Sequence, residues 1–517
     1  MSQSNRSEQI SRVVVTAQQM REIEARIFAG GMPVAALMEK VGGLIARNIV
    51  ALYPCAQAPR VGILAGPGHN GGDALVVARE LHFQGYQVTV CSPLTKLKEL
   101  TTQHVQYVKS LGIAVYEGLE SLSACDFIID GLFGFGLERS LTSPIDAIVN
   151  QLNQWSQPVI SIDVPSGLHT DTGEVLGTAV QATHTFCLGL WKLGLLQDQA
   201  LDYVGELELI DFDIPIADVQ AVLETPKIQR ITRQSAIATL PLQRSLVTHK
   251  YKQGHLLLIC GSRRYSGGAI LTGLGARASG VGMLSIAVPE SIKPLLSAQL
   301  PEALIVGCPE TASGAISQLQ LPENTDLSSF DAIACGPGLT VDAQSIVQQA
   351  IDSDRALVLD ADGLNILAQL GTSTLQRRAA STVLTPHTGE FKRLFPDAID
   401  PMCRIAAVRN AAAQSQAVVL LKGARTVIAD GDGSVWINPE STPALARGGS
   451  GDVLTGLLGG LIAQATTKNL PLAEIVASAA WWHSQAGILA AQARTVMGVD
   501  AFTLTQYLLL VIKEKSE

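Results

Sequence analysis

The chain has 517 residues, of which 47% are apolar and 16% charged, with a net charge of −9. That length exceeds one hydrophobic core and implies roughly two to four domains. The acidic balance excludes nucleic acid and an anionic membrane surface as main partners. The eight cysteines form no C-x-x-C pair and fall mostly in apolar runs, the pattern of buried reduced thiols in a cytoplasmic protein.

Met1–Ile10 is polar, lacks the apolar stretch of a signal peptide and reads as a disordered tail. No apolar run is long enough to span a bilayer, since the candidates near 268–289 and 453–463 are broken by Arg277 or too short. Thr16-Ala17-Gln18-Gln19 has the form of a capping box and opens a helix through about Phe28, and a second helix over Ala35–Tyr53 follows Pro33. The pattern then changes. Arg60–Leu64 is a short apolar strand, Gly66–Asp73 a glycine-rich loop and Ala74–Gln84 a helix, the order used to grip a phosphate, although the spacing is not G-x-G-x-x-G.

Strands at Gln87–Cys91, Ile113–Tyr116, Phe127–Asp130, Val159–Ile162 and Gly205–Ile210, with a helix at about 95–111, predict a parallel sheet covered on both faces. Ligands collect at the carboxyl ends of such strands. Three polar features fall there: Asn70 with Asp73, Asp130 with the glycines at 134 and 136, and Asp163-Val164-Pro165-Ser166-Gly167. Each carboxylate can also cap the helix that follows it; the convergence of all three favours a ligand site. Asn70 and Asp130 offer hard oxygens suited to a monovalent or divalent cation.

His69-Asn70-Gly71-Gly72-Asp73, Asp130 with Phe-Gly-x-Gly, and Asp163-x-Pro-Ser166-Gly167 resemble the three signatures of the NAD(P)H-hydrate epimerase family. The resemblance implies a Rossmann-like fold, with potassium held by Asn70, Asp130 and Ser166. It also implies substrate contacts at His69, Asn70, Gly71, Gly72 and Asp73, and at Gly134, Phe135, Gly136, Leu137, Glu138, Arg139 and Ser140. Asp163 would touch the substrate as the acid/base group. Two positions depart from the family: His69 stands where a second Asn is usual, and Ala74 where Gly is usual.

The first domain is expected over 13–220, a linker over 221–240 and a second α/β domain over 241–517. In the second half, His249–His255 reads as a solvated entrance to the strand Leu256–Cys260, and a small-residue helix runs from about Tyr265 to Val281. Further strands are Met283–Val288, Ala303–Val306, Ala332–Cys335, Ala356–Leu359, Thr382–Leu384 and Val418–Leu421, with a hairpin across 430–433. Polar strand ends recur at Gly336-Pro337-Gly338, Asp360-x-Asp362-x-x-Asn365, Thr385-Pro386-His387-x-Gly389-Glu390 and Lys422–Thr426. Arg447-Gly448-Gly449-Ser450-Gly451-Asp452 is a nest of open amides before a helix starting near Ser450. It is suited to an anion, with Asp452 in the first turn as a base for an attacking hydroxyl.

Gly-Ser-Gly-Asp after Lys-Gly-x-x-Thr resembles the ribokinase-like superfamily, and the motif set is similar to NAD(P)H-hydrate dehydratase. The two resemblances, in this order, imply a bifunctional nicotinamide nucleotide repair enzyme, an isomerase fused to a lyase. Ala269, Gly338, His387 and Asp452 would touch the hydrate, with Asp452 catalytic. ADP, accompanied by Mg²⁺, would be gripped by Lys422, Gly423, Ala424, Arg425 and Thr426, and by Thr442, Pro443, Ala444, Leu445, Ala446, Arg447, Gly448, Gly449, Ser450 and Gly451. Partners implied are NAD(P)HX and ADP, with homo-oligomerisation open. Two other readings remain: a small-molecule kinase in the second half, and a non-catalytic nucleotide-binding module in the first.

Overall fold

Short β-branched runs, most of them joined by helices, build parallel sheets because a helical crossover returns the chain to the same end of the sheet. The computed structural model describes residues 3–398 and 403–513, and contacts divide the chain between Gln229 and Arg230. In the first unit the strands are β1 (Arg60–Ala65), β2 (Gln87–Cys91), β3 (Ala114–Tyr116), β4 (Phe127–Gly131), β5 (Val159–Ile162), β6 (His184–Leu188) and β7 (Glu206–Ile210). Their order is β3-β2-β1-β4-β5-β6-β7, every pair parallel. The chain leaves β1 for β2 on one side and returns to β4 on the other, so a crevice opens at the carboxyl ends of β1 and β4. The register sets Leu64 beside Asp130 there.

Alternate side chains leave the sheet on opposite faces. Ile63, Phe127 and Ile129 enter one core with Ile45 and Leu75 from the helices Val34–Leu52 and His69–Phe83. Leu64, Cys91 and Ile128 enter another with Leu122 and Val149. The capping box at Thr16 is formed, its hydroxyl accepting from the Gln19 amide while the Gln19 side chain accepts from the Thr16 amide at 2.9 Å.

The second unit carries β9 (His255–Ile259), β10 (Met283–Pro289), β11 (Leu304–Cys308), β12 (Ala332–Cys335), β13 (Ala356–Leu359), β14 (Thr382–Leu384), β15 (Val418–Leu421), β16 (Thr426–Ala429) and β17 (Val435–Asn438), with β8 (Ile228–Arg230) at the edge. The ten-stranded order is β8-β17-β16-β15-β14-β13-β12-β9-β10-β11. It is parallel from β15 to β11 and antiparallel through β15, β16 and β17. A second crevice lies where β9 and β12 pair, with Ile259 beside Cys335.

Two local expectations are corrected. Gln3–Arg12 is a helix, not a disordered tail; Ile10 is buried, and Arg6 pairs with Asp211. The helix after β1 begins at His69 rather than Ala74, because Gly68 supplies the extended N-cap and the Gly71 and Gly72 backbones continue as helix. The stretch read as a linker contains β8 and the helix Arg233–Thr239, capped by Thr232. The strand β6 and the helix Ile145–Leu152 were not anticipated.

Two helices of the second unit, Ser266–Ala278 and Ser450–Lys468, approach so closely that only glycine fits between them. A Cβ on Gly456 would lie 1.8 Å from the Thr272 carbonyl oxygen, and one on Gly275 would lie 2.2 Å from that of Val453. This contact sets Asp452 beside Gly268, where an added Cβ would stand 3.2 Å from Asp452 Oδ2. Gly456→Ala is therefore expected to destabilise the second unit by about 1–3 kcal/mol, read as a lower unfolding midpoint.

Candidate active sites

In the first unit a cavity of about 400 Å³ opens at the carboxyl ends of the strands. Asp163, directly after β5, adopts φ +70° and points its carboxylate inward. Its Oδ1 lies 2.5 Å from Lys192 Nζ and accepts from the Leu188 amide at 3.3 Å, while Oδ2 accepts from the Phe135 amide at 2.8 Å. Lys192 is buried, also donates to the Leu188 carbonyl, and stands 5.5 Å from the centroid of the Phe135 ring. Burial works against its charge, but Asp163 more than offsets that, and its pKa lies above the ordinary lysine value.

Asp73 and Glu24 line the same cavity. Burial, reinforced by Asp163 and Glu24, pushes the Asp73 carboxyl well above the usual range. Burial likewise lifts Glu24 to about 7, with Lys192 opposing and Asp163 adding. Burial and the Lys98 charge draw His69 down.

Asp130 is fully buried beside this cavity. Its Oδ1 accepts from the Ser166 hydroxyl at 2.7 Å and the Leu132 amide at 3.2 Å, and its Oδ2 from the Ser161 hydroxyl at 2.8 Å and the Ser166 amide at 2.9 Å. Burial still raises its pKa against those four donors. Asn70 adjoins it: a Cβ on Gly131 would lie 3.2 Å from the Asn70 backbone carbonyl oxygen, and the buried Asn70 Nδ2 has no hydrogen-bond partner among the described residues. One carboxylate with hydroxyl, amide and carbonyl oxygens, and no thiolate or imidazole, is a donor set for a hard cation.

The structure thus gathers His69, Asn70, Asp73, Gly134, Phe135, Gly136, Leu137 and Asp163 on one cavity. Glu138, Arg139 and Ser140 lie off its lining. Gly71 and Gly72 face protein, where a Cβ would meet the Gly66 carbonyl oxygen at 1.9 Å and the Met38 sulfur at 2.6 Å. Ala74 packs against Gly131 in the core rather than facing the cavity.

In the second unit Gly449, at φ +91°, lets the chain turn into the helix Ser450–Lys468. Space opens over Gly448, where an added Cβ would meet no atom within 4 Å. Lys422 Nζ would stand 3.4 Å from a Cβ on Gly451 and is bonded at 2.8 Å to Asp360 Oδ1. The Thr455 hydroxyl donates to Asp360 Oδ2 at 2.6 Å. Burial, reinforced by Asp360 and opposed by Lys422, raises Asp452 to about 7. His483 is held neutral by burial, its pKa drawn down to about 4, and its Nε2 lies 3.0 Å from the Ser450 carbonyl oxygen.

Gly338, at φ +66°, abuts Tyr265, and buried Ala269 follows Gly268 beside Asp452. His387 caps the helix Thr388–Leu394, with Nδ1 accepting the Gly389 amide at 2.9 Å. Of the two loops expected to grip ADP, the first has Gly423 and Ala424 exposed and Thr426 partly so. Arg425 lies beside Arg230 and Glu440; burial and the Arg230 charge draw it down to about 10. Thr442 caps the turn Pro443–Leu445, Ala444 is buried, and Leu445 packs on Gly487, with Ala446 closing the turn. Arg447 donates to the Met497 carbonyl at 3.0 Å and the Val499 carbonyl at 2.7 Å, tethering the loop before the last helix.

Sequence reading missed Lys192, Glu24, Thr455 and His483. Lys192 had left a signal: it is the one charge in the apolar run Phe186–Leu196, where a lysine must find a partner. The others lie on ordinary helical sequence and become visible only by packing.

Fold and sites define a two-headed α/β enzyme, one head Rossmann-like and the other a mixed-sheet, ribokinase-like domain. Residues 34–194 match the YjeF-related protein N-terminus family, and residues 256–509 match the NAD(P)H-hydrate dehydratase family. The chain is 56% identical over 500 residues to the bifunctional NAD(P)H-hydrate repair enzyme Nnr of Synechocystis sp., covering 96% of this chain and 94% of that one. It is 37% identical to the Thermofilum pendens counterpart, covering 91% and 90% respectively. The ADP/ATP-dependent NAD(P)H-hydrate dehydratase of Bacillus subtilis, crystallised with ATP/Mg²⁺, aligns with 55% of this chain and 97% of its own, at 34% identity and a TM-score of 0.47. The chain belongs to the bifunctional NAD(P)H-hydrate repair enzyme family.

A base with a pKa near 7 is half ionised at neutrality and inert when protonated. With Asp452 as the base, the rate of the second unit's reaction is expected to rise about tenfold per pH unit below 7 and level off above it. A rate already flat from pH 5 to 8 would remove Asp452 as the titrating base.

Proposed function

We propose that the first unit interconverts the R and S forms of NAD(P)HX at C6, and that the second dehydrates the S form with ADP, releasing AMP and phosphate. The observation that carries this reading is Asp452, poised near 7 in the first turn of a helix whose glycine entrance is open and flanked by Lys422. Hydroxide leaves poorly from a neutral ring, and phosphorylation turns it into a good leaving group. Asp452 accepts the C6 hydroxyl proton as its oxygen attacks the terminal phosphorus of ADP. The amides of Gly448–Gly451 and the Lys422 ammonium meet the charge on the transferring phosphoryl group. The ring nitrogen then expels phosphate and restores the dihydronicotinamide.

Mg²⁺ accompanies ADP in this reading. Phosphate oxygens would supply most of its coordination. In the first unit Asn70, Asp130 and Ser166 would hold potassium, whose charge compensates the buried Asp130 carboxylate and fixes the loop carrying Phe133–Gly136. Asp163 acts there on the C6 oxygen.

Asp452→Ala is expected to lower dehydration by at least roughly 100-fold while R and S hydrates still interconvert; Asp163→Ala is expected to do the reverse. Recovery of dihydronicotinamide absorbance from a mixed hydrate sample, with inorganic phosphate assayed alongside, checks both. A stable phosphorylated product without phosphate release would convert the second unit into a kinase. Replacing K⁺ by tetramethylammonium is expected to slow interconversion; equal rates in the two salts would remove the potassium site.

A further inference from the structure

The first unit's cavity is lined by three carboxylates, Glu24, Asp73 and Asp163, and the buried ammonium among them, that of Lys192, is paired with one of the three. Lys192 Nζ sits 2.5 Å from Asp163 Oδ1, and two backbone amides complete the Asp163 shell. Asp73 lines the same space three residues after Asn70, yet its side chain has no hydrogen bond or ion pair among the described residues. The two aspartates therefore differ in kind. Asp163 meets an ammonium and two backbone amides, whereas Asp73 meets no donor among the described residues.

Resting on the epimerase reading above, we propose that Asp73 is the general acid of the interconversion, that Asp163 is its base, and that Lys192 is a positioning residue holding the Asp163 carboxylate aimed into the cavity. In the forward step the C6–O bond breaks, and its electron pair stays on oxygen, which takes the Asp73 proton and leaves as water. The ring nitrogen lone pair forms the N1=C6 bond, and the resulting cation lies against the Asp163 carboxylate. Water adds to the other face of C6: its oxygen forms the new C6–O bond, the N1=C6 pair returns to nitrogen, and Asp163 takes the released proton. Proton exchange through solvent returns the pair to its starting state. Burial and two neighbouring carboxylates push the Asp73 carboxyl well above the usual range, the direction this assignment requires. The other ionisable groups near the pair are Glu24 and Cys187, with Arg21, His69 and Lys98 farther along the cavity lining.

The mechanism requires solvent oxygen at C6 in each inversion. Full-length protein is incubated with single-isomer NADH hydrate in H₂¹⁸O without ADP, and inversion and label are followed together. Wild type is expected to incorporate one ¹⁸O per inversion, and Asp73→Asn to lose both by at least roughly 100-fold. Lys192→Met is expected to lower kcat with KM little changed, and Lys192→Arg to recover much of the loss. Unfolding midpoints of each variant establish that the first unit is folded. If wild type does not invert the hydrate, the epimerase reading itself fails. If wild type inverts it but Asp73→Asn matches its rate, or inversion proceeds without label, the acid/base assignment is overturned. Loss in Lys192→Met confined to KM would overturn the positioning role.

Discussion

Charge held out of water at the end of a parallel strand governs both halves of this protein. A buried carboxylate there persists only if a cation or several donors meet it. The chain solves this the same way twice: Lys192 reaches Asp163 after β5, and Lys422 reaches Asp360 after β13. In each unit that leaves a second aspartate without a cation of its own. Burial first, and the neighbouring carboxylates second, raise Asp73 well above the usual range and Asp452 to about 7.

The packing around each pair serves that division. In the second unit the glycine contact between Ser266–Ala278 and Ser450–Lys468 brings Asp452 against Gly268, and His483 ties the first turn of that helix to the helix Leu472–Arg494 through the Ser450 carbonyl. In the first unit Gly71 and Gly72 let the helix His69–Phe83 press onto Gly66 and Met38, which sets Asn70 and Asp73 at the crevice. Glycine is conserving space for backbone in both places, and the open amides over Gly448 are the exception that leaves room for a ligand.

The two units share a principle and differ in chemistry. The first cavity, with an ion pair, two protonatable carboxyls and a hard-cation oxygen set, can move protons at a carbon bearing oxygen. The second, with an ammonium at a helix N-terminus and a base near 7, can neutralise a phosphoryl group while activating a hydroxyl. Linking them in one chain joins correction of stereochemistry to removal of the hydroxyl, two steps on one damaged nucleotide.

The sequence by itself determined the alternation of strands and helices, the two-domain division and the strand-end motifs around Asp130, Asp163 and Asp452, because hydrophobic period and glycine placement are local properties. The helix start at Ser450 and the bounds of β2, β5, β12 to β15 were legible for that reason. The Gln3–Arg12 helix was not, since its residues are polar and it depends on Ile10 burial and the Arg6 to Asp211 pair across the unit. Nor were the partners of the acidic groups. Lys192 lies 29 residues from Asp163 and Lys422 lies 62 from Asp360, and only the folding of β6 beside β5 and of β15 near β13 brings them together. Which carboxylate is paired and which is left to carry a proton is a matter of distance and dielectric, and those exist only in the tertiary structure.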